Sequence, residues 1–159
     1  MPTLLMFTVC DTVVTDREDN VVSLHSIIEN VTAPAPSGSS VPDKARAPLR
    51  WSTFSLWLKA PEDDGRRFEQ RVELFTPDGQ RVVQADVPFQ AGTRTNRVTV
   101  RGFGFPISQA GEHIFRLSLR EVNDDSNWHQ VAEYPVRVSH QTDRQQKDDG
   151  PEPAAPPEE

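Results

Sequence analysis

The 159-residue chain has a single cysteine, Cys10, so it forms no internal disulfide, and a disulfide-stapled fold is excluded. It has no apolar run near the ~18 residues that a membrane-crossing helix needs. It lacks an excess of base, with 17 Lys and Arg against 24 Asp and Glu. A formal charge of −7 argues against non-specific binding to nucleic acid or an anionic membrane, both of which call for clustered cations. It lacks a G-x-S-x-G elbow, and Gly102-Phe103-Gly104 has neither the third glycine nor the helix of a phosphate loop. The histidines (His25, His113, His129 and His140) are not spaced as zinc ligands, and none has a cysteine nearby. Cys10 lies in an apolar run with no cation to lower its pKa. No cofactor and no enzymatic activity are expected from such a chain.

The opening run Leu4-Leu5-Met6-Phe7-Thr8-Val9-Cys10 has no basic residue before it. Bulky Phe7 and Val9 occupy positions where a lipoprotein signal requires small residues. The run therefore reads as a core strand with a buried thiol, and the chain as cytoplasmic. Asn30-Val31-Thr32 is a glycosylation sequon that matters only in a secretory setting.

What is present is alternation. Apolar residues recur with period two along about eight short segments, with no helical stripe between them. Examples are Phe68, Val72 and Leu74 against Glu69, Arg71 and Glu73, and Phe115, Leu117 and Leu119 against Arg116, Ser118 and Arg120. Turn residues separate them, as in Pro77-Asp78-Gly79, where proline presets φ and glycine accepts positive φ. Strands with one apolar face each must bury it against a second sheet. The prediction is an all-β fold, an antiparallel immunoglobulin-like or C2-like β-sandwich of about eight strands over residues 1–140. The apolar phase slips between Val100 and Phe103, so a bulge or a crossing between sheets is expected at the glycines. Pro88 and Pro135 point to edge positions or kinks. Residues 33–48 are rich in proline and small polar residues and read as a long loop. Residues 141–159 carry six acids against two bases and no large apolar residue, the composition of a disordered acidic tail.

Phe7-Thr8-Val9-Cys10-Asp11, the Val72–Gly79 run with its central Pro-Asp-Gly, and Gly111-Glu112-His113-Ile114-Phe115-Arg116-Leu117 together resemble a family of small, functionally uncharacterised bacterial β-sandwich proteins. The resemblance spans about residues 3–139. It implies the sandwich fold and carries no activity, because that family has none established.

Three surface features remain. If consecutive strands simply alternate in direction, three acidic loops share one end of the sandwich. They hold Asp16 and Asp19, Asp63 and Asp64, and Asp124 and Asp125, a candidate calcium site built from hard oxygen ligands. Arg97, Arg101, Arg116 and Arg120 lie on outward faces and would repel one another if their strands paired, unless they belong to different sheets, acids interleave or an anion binds. Trp51 and Trp57 share a face opposite Phe54, Leu56 and Leu58. Alternation places the two indoles toward solvent, as anchors for a protein partner or stacking platforms for carbohydrate. The expected role is an interaction or adaptor module binding another protein, with calcium or carbohydrate binding as the alternative.

Overall fold

A computed structural model describes residues 1–35, 41–122 and 127–142. Asp124, Asp125 and residues 143–159 thus lie outside the described residues, whereas Gln141 and Thr142, read from composition as the start of the tail, are strand residues. The strands are β1 (Thr3–Thr15), β2 (Val22–Ile27), β3 (Asn30–Ala35), β4 (Arg46–Leu58), β5 (Arg67–Phe75), β6 (Arg81–Gln90), β7 (Thr95–Pro106), β8 (Gly111–Glu121) and β9 (His129–Thr142). They form one sheet of order β2-β1-β4-β7 and another of order β3-β9-β8-β5-β6. The fold is an all-β sandwich, as alternation predicts. Its core holds Val9, Trp51 and Val98 from the first sheet against Phe68, Leu74, Phe115 and Leu117 from the second.

Residues 33–48 are not one long loop. β3 claims their start and β4 their end. β3 has modest strand propensity, but Val31 and Ala33 are buried while Thr32 and Pro34 are exposed. It is an edge strand, where the missing N–H of Pro34 is tolerated. It runs parallel to β9, so the sandwich is not wholly antiparallel. Pro88 lies on β6, the opposite edge of the same sheet, and Pro135 lies on β9 just before its pairing with β3 begins at Arg137.

β4 is covered on both faces. Trp51 and Trp57 point between the sheets. Phe54 and Leu56, on the opposite face, are packed by Cys10, Val13, Val22 and Leu24. Cys10 is the pivot of this arrangement, pairing with Ser52 on β4 and with Ile27 on β2. Beyond it β1 pairs only with β2. The resulting hairpin lies across the outer face of the four-stranded sheet. At its tip, Arg97 Nη1 donates to the Asn20 backbone oxygen at 2.9 Å and to Asn20 Oδ1 at 3.0 Å.

His113 is fully buried, with its ring 5.6 Å from that of Phe105. Burial pushes its pKa down, opposed by the Gly111 backbone and the charge of Asp78. The neutral ring is therefore the folded form, and the unfolded chain takes up a proton first as pH falls below about 6.5. Stability is thus full above that pH and declines below it, at no more than about 1.4 kcal/mol per pH unit for one group. Urea midpoints of wild type and His113→Phe at pH 7.5 and 5.5 check this. The substitution flattens the decline; equal slopes in both proteins would show that other groups cause it.

Candidate interaction surface

The Trp51–Trp57 surface does not exist as a surface. Trp51 is 4% exposed and Trp57 fully buried. The Trp51 ring meets Phe115 edge-on at 5.2 Å, and Trp57 stacks on Phe89 at 6.1 Å. Trp57 Nε1 donates to Gln70 Oε1 at 2.9 Å, and Ser55 Oγ donates to the same oxygen. Ser55 and Trp57 on β4 and Gln70 on β5 thereby tie the two sheets together. The polar residues Thr53 and Ser55 made this face read as outward, but sheet packing buries it, and the folded-back hairpin buries the other.

The described acidic candidates, Asp16, Asp19, Asp63 and Asp64, do not assemble into a calcium site. Strand β3 breaks the assumed alternation of loop ends. Thr3 pairs with Leu58, so the loop after β4 lies beside the start of β1, whereas Asp16 and Asp19 follow its end. Asp16 Oδ1 accepts from the backbone N–H groups of Glu18 and Asp19 at 2.7 and 3.2 Å. Asp63 is buried, 3.0 Å from the Met1 ammonium, and its Oδ2 accepts from the Ala60 N–H at 3.2 Å. Asp64 pairs with Lys59. Among the described residues, no three His, Cys, Asp or Glu side chains converge to hold a metal.

The four arginines are divided between sheets: Arg97 and Arg101 on β7, Arg116 and Arg120 on β8. On the outer face of the five-stranded sheet, acids also interleave. Arg116 bonds Glu133 at 3.0 Å, Arg120 bonds Glu69 at 2.9 Å, and Arg71 bonds Asp86 at 2.8 Å. The Trp128 ring lies 4.1 Å from the Arg71 guanidinium and 4.5 Å from that of Arg120. Period two puts Trp128 on the core face, in phase with Ala132 and Tyr134. The register shifts between Leu117 and Ser118, from Ala132 to Gln130, and this moves Trp128 outward. The arginines at the centre of that face are thus each matched by an acid.

The accessible apolar residues sit elsewhere. Phe103 and Ile27 are the two most exposed large apolar residues described, at 69% and 57%. Phe103 keeps the outward phase of Arg97 and Arg101, and Gly104, at φ 84°, then breaks the strand phase, so that Phe105 turns inward and is fully buried. The phase slip expected from the sequence is thus real, but it falls one residue later and leaves Phe103 outside the core. Phe103 and Ile27 both line a groove of about 510 Å³ on the outer face of the four-stranded sheet, with Asp11, Ile28, Leu49 and Arg50. The groove opens where β1 leaves β4: residues 46–50 of β4 have no partner on the β1 side. Ser26, also on the wall, has a φ of 54°, in the left-handed region that non-glycine residues rarely occupy.

Arg50 faces Phe103 in register across β4 and β7, and Ser52 faces Arg101. The Arg50 side chain is 74% exposed, and its nearest recorded carboxylate, Asp11, is 3.9 Å away. That is beyond hydrogen-bond length. The surface therefore offers two apolar contacts and a loosely held guanidinium side by side. Nothing in the sequence flags Ile27 as exposed. The glycines around Phe103 are the one signal that its direction was open.

The Cys10 thiol beneath the hairpin is free and buried, and burial followed by the Asp11 charge raises its pKa. Both effects oppose nucleophile chemistry.

No family model matches the chain, and neither does any curated protein. Among solved structures, the C-terminal domain of wzt aligns over 87% of this chain and 73% of its own, at 8% identity and a TM-score of 0.47. An immunoglobulin-like protein from Pseudomonas aeruginosa aligns over 87% of this chain and 97% of its own, at 16% identity and a TM-score of 0.35. Likeness at this level carries no argument about a site, and the two-sheet architecture rests on the strand pairings themselves.

Proposed function

We propose that the chain is a non-catalytic module that binds another protein through the groove beside the β1–β2 hairpin. The observation that carries this reading is the exposure of Phe103 and Ile27 at one concavity. Large apolar side chains rimming a groove favour association, because covering them removes apolar surface from water. The raised pKa of the Cys10 thiol supports a non-catalytic role. A lone reduced thiol also suits a cytoplasmic setting.

Affinity capture from source-organism lysate tests the reading, with wild type beside the Phe103→Ala–Ile27→Ala double variant. Anchors of this kind contribute about 2 kcal/mol or more each, about thirtyfold in affinity apiece, so the double variant loses the specific partner. Both residues are exposed, so the melting temperature stays within about 2 °C. A partner recovered equally by both proteins would move the binding surface elsewhere.

A further inference from the structure

The groove has a chemical polarity that runs against the rest of the molecule. The chain carries a net −7, yet the groove is flanked by exposed cations. On the five-stranded sheet several arginines are spent on carboxylates, as Arg71 is on Asp86 at 2.8 Å and Arg81 on Glu73 at 2.8 Å. Arg50 has only Asp11 at 3.9 Å, and Arg101 has no ion pair recorded among the described residues. Both are exposed.

Their placement has a spacing. Arg101 and Phe103 are two residues apart on one strand and both exposed, so their side chains leave the sheet about 7 Å apart. Arg50 lies opposite Phe103 on the neighbouring strand. Cation and apolar ring thus recur at the interval with which any extended chain presents alternate side chains. An extended segment laid along the groove can set an apolar side chain against Phe103, Leu49 and Ile27. A carboxylate two residues away then meets Arg101 or Arg50. The guanidinium offers a planar pair of donors that matches a carboxylate.

Resting on the reading of this groove as the binding surface, we infer that its occupant is an extended peptide segment of a partner protein, with an acidic residue two positions from a large apolar one. The apolar side chain supplies the area and the carboxylate supplies the selection. A basic segment is rejected at the same point, because like charges would meet at Arg50 and Arg101.

A display library of random decapeptides provides the test. It is selected on full-length wild type, on Arg50→Glu–Arg101→Glu and on Phe103→Ala, each first shown to melt within about 2 °C of wild type. Wild type is expected to enrich decapeptides with Asp or Glu two positions from Leu, Ile, Val or Phe. The most enriched decapeptide, made synthetically, should bind each variant about tenfold more weakly or worse, and should weaken as salt is raised. The charge-reversed protein should instead enrich Lys or Arg at the acidic position. Enrichment without an acidic residue, or undiminished binding to the charge-reversed protein, overturns the inference. A lysate partner lost on Phe103→Ala–Ile27→Ala, with no decapeptide enriched, overturns the peptide class alone and leaves the binding-module reading intact. Acidic–apolar enrichment that survives Phe103→Ala overturns the placement in this groove.

Discussion

Trp57→Ala is expected to lower the melting temperature by about 10 °C or more. Deleting a buried tryptophan costs about 3–5 kcal/mol in lost transfer energy and cavity. For a domain of this size each kcal/mol shifts the midpoint by about 2–4 °C. The indole is fully buried and stacks on Phe89, so nothing nearby is free to fill the space. Its removal also takes a donor from Gln70 Oε1, an acceptor on a fully buried side chain. Gln70 Oε1 keeps the Ser55 hydroxyl as a donor, so the lost hydrogen bond adds about 0.5–1.5 kcal/mol. Thermal and urea unfolding measure the effect. A shift below about 2 °C would show that Trp57 is not the core residue described.

Gly102→Ala is the second change with a large expected effect. A Cβ at Gly102 would stand 2.1 Å from Trp51 Cζ2 and 2.3 Å from Cε2. No pair of non-bonded carbons sits so close. Trp51 would have to leave its edge-on contact with Phe115, or β7 would have to part from β4. Overpacking of a core commonly costs about 1–3 kcal/mol, and the rigidity of an indole held between two sheets puts this site at the upper end. A double-mutant cycle isolates the cause. Trp51→Leu destabilises on its own, yet Gly102→Ala added to it should cost far less than it does in wild type. Equal costs in both backgrounds would place the strain elsewhere.

Most of the sandwich was legible because a half-buried strand writes its orientation into every second residue. β5 and β8 show this plainly, with Val72 and Leu117 in and Arg71 and Arg116 out. The failures share a physical cause. On β4 neither face meets water freely, so the face carrying Phe54 and Leu56 and the face carrying Trp51 and Trp57 are both apolar, and period two cannot rank them. At Gly104 and at the shift opposite Ser118 one residue reverses the phase, and Phe105 and Trp128 change sides. β3 hides among prolines and alanines because an edge strand tolerates them. The groove depends on where the hairpin folds back and on both local reversals of direction at Ser26 and Gly104, so only its glycines were visible in advance.

The parallel seam between β3 and β9 sets the order in which a growing chain can close. Thr32 and Ser139, which face each other there, are 107 positions apart in the sequence. At about 5–20 residues per second of synthesis, β3 leaves the ribosome about 5–20 s before its partner exists. Hairpins such as β5–β6 join residues close in sequence and can form within that interval. Val31 and Ala33 stay uncovered until the last strand arrives. The short, proline-bearing character of β3 then has a use during synthesis: it is a poor template for pairing with a neighbouring chain while it waits.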